Sequence, residues 1–194
     1  FIFIMLSIGF LILINLSIPA IIISLISIPL IVIYPLTKRV TFFPQVWLGI
    51  TFNVGILVGY SCISENYPNI SVIILYIGAI FWTIGYDTLY AMQDYNDDLL
   101  TGVKSTAVKM HKYSGIFAAF SYIICTIIFC TALILNDLNP LSIIIIIILG
   151  IWQILHALRT KIKDTSKFVS GFNKSNICGF YIWVVMITDL YMLN

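Results

Sequence analysis

Of the 194 residues, 61% are hydrophobic and 9% charged, with ten Lys and Arg against eight Asp and Glu. Ordinary soluble domains carry charge at about a quarter of their positions. A water-soluble globule is therefore excluded, and with a mean hydropathy of +1.07 a polytopic membrane protein is expected.

Residues 1–37 hold no charge, a stretch too long for one span of about 20 residues and slightly short for two. Asn15, Ser17 and Pro19 divide it. Its opening Phe-Ile-Phe-Ile has neither an initiator Met nor a basic leader, so it is not a secretory signal. Such an abrupt apolar start is expected of a chain that has lost its beginning. Apolar runs and their interruptions predict spans at about 1–14, 19–35, 44–62, 70–90, 113–135, 140–158 and 171–192, in one membrane domain over 1–194. The step Tyr34-Pro35 predicts the end of the second helix, because proline pushes the residue before it out of helical geometry. Cys62, Cys125, Cys130 and Cys178 lie singly in apolar spans and are expected to pack rather than pair. The run Ile143 to Ile148 reads as lipid-facing helix.

The basic residues are segregated. Lys38 and Arg39 fall in one connection, Lys104, Lys109 and Lys112 in a second, and Arg159, Lys161, Lys163, Lys167 and Lys174 in or beside a third. With seven spans these connections alternate, which puts all ten on one side, while the opposite connections hold Glu65 and Asp137, with Asp189 near the far end of the last helix. Positive residues collect on the cytoplasmic face or its mitochondrial matrix equivalent.

The acids point to chemistry. In Gly85-Tyr-Asp-Thr-Leu-Tyr-Ala-Met-Gln-Asp-Tyr-Asn-Asp-Asp98, a continuous helix at about 100° per residue brings Asp87, Asp94 and Asp98 to one face, at offsets of about 20° and 40°, and leaves Asp97 about 80° away. Two carboxylates one turn apart, about 6 Å, repel by roughly 3 kcal/mol at an effective dielectric of 20. A hard divalent cation turns that repulsion into binding, and oxygen ligands suit Mg²⁺ bridging to a phosphate. Asp97 is expected in a solvated loop. Arg39 is a candidate phosphate ligand because a guanidinium grips oxygens in bidentate fashion. Lys38 is explained equally well by charge segregation, and Lys104 lies close enough in sequence to reach the same anion. His111 and His156 are expected at the interface, and Asn173 and Asn176 as caps of the last helix.

Tyr34-Pro-Leu-Thr-Lys-Arg-Val-Thr-Phe-Phe-Pro-Gln-Val-Trp-Leu-Gly49, Tyr86-Asp-Thr-Leu-Tyr-Ala-Met-Gln-Asp-Tyr-Asn-Asp-Asp98, Gly102-Val-Lys-Ser-Thr106 and Phe168-Val-Ser-Gly-Phe-Asn-Lys-Ser-Asn-Ile-Cys-Gly179 together resemble the UbiA prenyltransferases. Within that family the resemblance is nearest to the 4-hydroxybenzoate polyprenyltransferases of ubiquinone biosynthesis. It implies an all-α membrane bundle whose seven spans match the third to ninth helices of a nine-helix fold. It also implies a second Asp-rich motif at Asp87, Asp94 and Asp98 as Mg²⁺ ligands, and roles at the site for Lys38, Arg39, Lys104 and Tyr90. The family's first acidic motif has no counterpart, since no acid precedes Glu65, so the N-terminal helices of the same enzyme are an expected partner. Polyprenyl diphosphate and 4-hydroxybenzoate are the implied substrates, in membrane lipid and without nucleic acid. The implied place is a bacterial plasma membrane or a mitochondrial inner membrane. Two other classes remain open: a transporter, which predicts acids spread through the membrane depth and inverted repeats, and an inactive remnant of such an enzyme.

Overall fold

The computed structural model describes residues 1–160 and 165–192, with side chains of the last helix described for 170–189. Ten α-helices follow in order: α1 Ile2–Leu13, α2 Ile18–Val40, α3 Pro44–Phe52, α4 Val54–Ser64, α5 Ile70–Ala91, α6 Tyr95–Thr101, α7 Thr106–Met110, α8 Ser114–Ile134, α9 Pro140–Arg159 and α10 Thr165–Met192. A 3-10 turn, His111–Tyr113, joins α7 to α8. No strand occurs among the described residues.

Among the described residues, five stretches are long and apolar enough to cross a membrane: α2, Pro44–Ser64, α5, Thr106–Ile134 and α9. The expected first span falls short. α1 has 12 residues, about 18 Å at 1.5 Å per residue against a hydrocarbon core of about 30 Å, and it buries none of its side chains. The last expected span lies inside α10, whose 28 residues are long enough but more polar.

Three local expectations are corrected. α2 continues through Pro29 and Pro35 to Val40 rather than ending at Tyr34. Membrane helices tolerate proline: its fixed φ is itself helical and only the bond to the Ile31 carbonyl is lost, while the Thr37 hydroxyl donates to the Tyr34 carbonyl at 2.6 Å. The span over 44–62 is broken at Asn53, whose Nδ2 lies 2.8 Å from the Gly49 carbonyl and 2.8 Å from Thr83 Oγ1, tying the break to α5. Asn173 and Asn176 sit within α10, which starts at Thr165, so they cap nothing.

α5 is the centre of the bundle, packed against α8, α3, α10 and α4, while α8 also packs on α9 and α9 on α10. Two clusters fill it: Leu89, Met92, Ala107, Ala118, Ala119, Tyr122 and Ala157 at one end, and Ala79, Cys125, Phe129, Leu133 and Ile146 at the other. The four cysteines are unpaired thiols, as expected. Between them the Tyr122 hydroxyl meets Ser175 Oγ at 2.7 Å, both buried. Gly115 allows α8 and α9 to touch; a Cβ there would stand 2.6 Å from the Ala157 carbonyl.

These contacts fix which helix ends lie together. The Lys104 amide donates to the Lys38 carbonyl at 3.1 Å, Gly115 abuts Ala157 and Thr160, and Gly171 abuts Leu89 and His156. The C-terminal ends of α2, α5 and α9 therefore meet the N-terminal ends of α8 and α10, and Lys38, Arg39, Lys104, Lys109, Lys112, Arg159 and Lys174 share that end. Lys161 and Lys163 lie outside the described residues, as does the side chain of Lys167. At the opposite end the Ser17 hydroxyl donates to the Ser61 carbonyl at 2.6 Å, and Asp189 Oδ2 accepts from the Asn139 amide at 3.0 Å.

Candidate active site

The site forms where the charged end of α5 meets the turn between α2 and α3. Because α2 stays helical to Val40, Lys38 and Arg39 occupy its last turn and point about 100° apart. α3 opens on Pro44, a residue suited to the first helical position because its missing N–H is not needed there. The next residue, Gln45, is 2% exposed. α7 is stitched across this turn: the Thr106 hydroxyl lies 3.0 Å from the Phe42 carbonyl and against Gln45 Oε1. The Lys104 ammonium donates to the Val40 carbonyl at 3.2 Å. Ser105 caps α7, accepting from the Val108 amide at 3.2 Å.

The acidic run does not form the single helix its phase suggested. α5 stops at Ala91, and a tight turn follows in which Gln93 N–H donates to the Tyr90 carbonyl at 3.0 Å and Asp94 N–H to the Ala91 carbonyl at 3.2 Å. Asp94 then stands at the N-cap of α6, with no side-chain capping bond. The physical reason is local, because Asp and Asn compete with the helix through their own backbone contacts and favour caps and turns over helix interiors. Gly102, at φ 70°, ends α6, and the amides of Gly102 and Val103 converge on the Asp98 carbonyl.

The broken helix nevertheless delivers the three acids to one place. Asp87, Asp94 and Asp98 line a cavity of about 140 Å³ together with Tyr34, Lys38, Gln45, Tyr90 and Ser105. Asp87 and Asp98 are half-buried, whereas Asp94 is exposed. Asp97 is exposed and outside the lining. Of the cations, Lys38 lines the cavity and Arg39 does not. The Lys104 ammonium lies 5.6 Å from the Phe42 ring centroid and is bound to the end of α2, and Lys104 is not part of the cavity lining. Tyr90 belongs to the lining and to an aromatic wall with α10, its ring 5.0 Å from that of Phe172, which also meets Tyr86 at 5.7 Å.

Tyr34, Gln45 and Ser105 are site residues that sequence reasoning missed. Ser105 has a signal, as the polar residue beside Lys104 in a connection just after the acids. Gln45 has only a weak one, a polar residue following a helix-opening proline at the edge of an apolar span.

Three carboxylates against one ammonium give the cavity excess negative charge, and the donor set is of hard oxygens, the type that binds Mg²⁺. No three His, Cys, Asp or Glu side chains among the described residues stand close enough to hold an ion by themselves. The residues thus fit a cation held from one side, with a ligand's phosphate oxygens and water completing its shell, the mode in which Mg²⁺ is commonly bound.

The family model described as the UbiA prenyltransferase family matches residues 1–177. The chain belongs to this family. A UbiA prenyltransferase claS of Ampulloclitocybe clavipes is 52% identical over 81 residues, 42% of this chain and 26% of that protein. A 4-hydroxybenzoate octaprenyltransferase of Histophilus somni is 34% identical over 80% of this chain and 54% of its own length. Another from Haemophilus ducreyi is 32% identical over 97% of this chain and 68% of its own. The chain therefore spans from about a quarter to about two thirds of these UbiA relatives. Among solved structures, a UbiA homolog from Aeropyrum pernix K1 matches with a TM-score of 0.63 at 19% identity, over 90% of this chain and 66% of that one, which shows a shared fold.

Proposed function

We propose that this UbiA chain carries the diphosphate-ionising face of a 4-hydroxybenzoate polyprenyltransferase, with Asp87, Asp94 and Asp98 as the metal-holding acids. The observation that carries the reading is the convergence of these three acids with Lys38 on one cavity beside the Tyr86–Tyr90–Phe172 wall. The names of the relatives from Histophilus somni and Haemophilus ducreyi support the choice of substrates.

In this reading the bond between the allylic carbon of the prenyl chain and the diphosphate oxygen breaks, and the diphosphate leaves with the electron pair. The carbon ortho to the hydroxyl of 4-hydroxybenzoate bonds to the allylic cation, and the ring then loses its proton. Asp94, Asp98 and Asp87 would hold Mg²⁺ from one wall of the cavity together with diphosphate oxygens, and the bound ion would supply electrostatic stabilisation of the departing diphosphate. Lys38 neutralises diphosphate oxygens from the opposite wall, and Arg39, on the same helical turn, engages them from the rim. Tyr90 presents its ring to the cation, and the Ser105 hydroxyl is placed to donate to the anion. Lys104 acts on this site through α2, whose end it holds. Apolar helix walls take the prenyl tail and exclude water.

The basic end faces the cytoplasm or the mitochondrial matrix, in a bacterial plasma membrane or a mitochondrial inner membrane. Because the described acids approach the cation from one side, we assign a second acidic group to N-terminal helices of the same enzyme. The test is a prenyl-transfer assay in lipid with polyprenyl diphosphate, Mg²⁺ and a panel of hydroxylated aromatic acids, with and without an N-terminal fragment bearing an acidic motif. Transfer to 4-hydroxybenzoate is expected only with the fragment. Transfer to a different acceptor would overturn the substrate assignment, and full activity of the 194 residues alone would overturn the need for a second acidic group.

A further inference from the structure

Gln45 and Thr106 stand out because both are sealed from solvent, Gln45 in the lining of the acids' cavity and Thr106 bonded to it. Gln45 is 2% exposed and Thr106 0%. They reside on different elements, α3 and α7, and are 61 residues apart in sequence. The Thr106 hydroxyl has two acceptors within reach, the Phe42 carbonyl and Gln45 Oε1, but a hydroxyl has one proton to give. Donation to Gln45 orients the carboxamide: with Oε1 turned to Thr106, the NH₂ edge is left for the cavity that Gln45 lines together with Asp87. The opposite orientation would set Oε1 against the carboxylates, acceptor to acceptor, in a site with excess negative charge. The charge of the acids thus selects the amide orientation, and the Thr106 hydroxyl holds it.

We propose that Thr106 and Gln45 form a buried relay that positions Asp87, so that its carboxylate is held by an amide donor anchored to the α2–α3 turn. The inference rests on the reading of Asp87 as a metal-holding acid. A carboxylate free to rotate loses orientation each time a cation leaves, whereas one held by a fixed N–H keeps one oxygen turned outward. The donor must be neutral, since a second cation beside Lys38 would compete with the metal. Gln45 and Thr106 are positioning residues, and neither needs to touch substrate. Partners behind a metal ligand typically change affinity by about 10- to 100-fold when removed.

The test is Mn²⁺ binding in the presence of inorganic diphosphate, followed by electron paramagnetic resonance on the membrane-embedded protein, with thermal unfolding measured in parallel. Gln45→Leu is expected to weaken Mn²⁺ by about 10- to 100-fold. Thr106→Val, which removes only the hydroxyl, is expected to weaken it by about tenfold, and Thr106→Ser, which restores it, to return affinity to wild type. Should Gln45→Leu fail to fold, the Val and Ser variants of Thr106 decide the matter. Equal affinity across wild type and variants would overturn the relay alone. So would equal losses in Thr106→Val and Thr106→Ser, which would mark a packing role. A wild-type protein that binds no Mn²⁺ would overturn the site reading itself.

Discussion

The two ends of the bundle both carry acids, and they use them differently. At the basic end, Asp87, Asp94 and Asp98 share a cavity of about 140 Å³ with Lys38, Gln45 and Ser105, built by contacts between residues more than 60 positions apart. At the other end each acid serves a helix junction. Glu65 and Asp137 take left-handed backbone conformations, at φ 56° and 53°, where α4 ends and where α8 turns into α9. Asp189, 3% exposed, accepts from the Asn139 amide ahead of α9. The larger cavity here, about 360 Å³, is lined by Val72, Leu75, Leu133, Leu138 and Met186, with Ser71 and Asn136 the polar residues among its walls. An acid at a membrane face is therefore not a site by itself. What distinguishes the basic end is short helices, α6 and α7, whose side chains converge with those of α2, α3 and α5 on one cavity.

Sidedness is the all-or-none test of this contrast. In a cysteine-free background, tags near Arg39 and Lys104 should label from the cytoplasmic face only, and tags near Glu65 and Asp137 from the opposite face only. One reversed position would break the assignment of the two ends.

The next largest effect belongs to the acids. In an enzyme containing this chain, Asp94→Ala or Asp98→Ala should lower Mg²⁺-dependent transfer by about 100-fold or more, the scale seen when a preorganised charge-stabilising group is removed. Asp97→Ala, outside the cavity, should stay within a few-fold of wild type, so near-normal turnover in both of the other variants would refute the metal face.

A packing change at the functional end should cost stability. Gly115→Val places side-chain atoms where a Cβ already meets the Ala157 carbonyl at 2.6 Å and Thr160 Oγ1 at 2.8 Å. Overpacking against backbone that cannot yield is expected to destabilise by about 3 kcal/mol, read as a lower thermal midpoint. Gly59→Ala on α4, with nothing within 4 Å, should be neutral or stabilising by up to about 1 kcal/mol.

The smallest effect separates structural from functional carboxylates. Asp189→Ala leaves the Asn139 amide without its acceptor and should destabilise by about 1.5 kcal/mol, while Mn²⁺ affinity in the presence of diphosphate stays at the wild-type value. A loss of metal binding in that variant would show that the two ends are coupled.

Much of the architecture is legible in one dimension. Hydropathy accumulates along the chain, so the membrane class and the course of α5, α8 and α9 follow from runs of apolar residues, with boundaries within a residue or two. Charge segregation is equally readable, because every basic residue between turns must go to one side or the other, and the described ones do share one end. Tyr90 and the three aspartates are legible from composition at a helix end and from family resemblance.

The rest depends on groups distant in sequence meeting in space. Helical phase alone predicted one straight face for Asp87, Asp94 and Asp98, and the local preference of Asp and Asn for turns broke it, yet tertiary packing brought the three back to a single cavity. That Lys38 lines the cavity and Arg39 does not turned on α2 remaining helical past Pro35 to Val40. Lys104 lies near the acids in sequence but is captured by the Val40 carbonyl. Gln45 became part of the site only when Thr106, 61 residues later, supplied the hydrogen bond that orients it. Periodicity states which way a residue faces along its own helix, whereas the partner it meets is settled by how the helices dock, since burial of a polar group is tolerated only where a complementary group is already waiting.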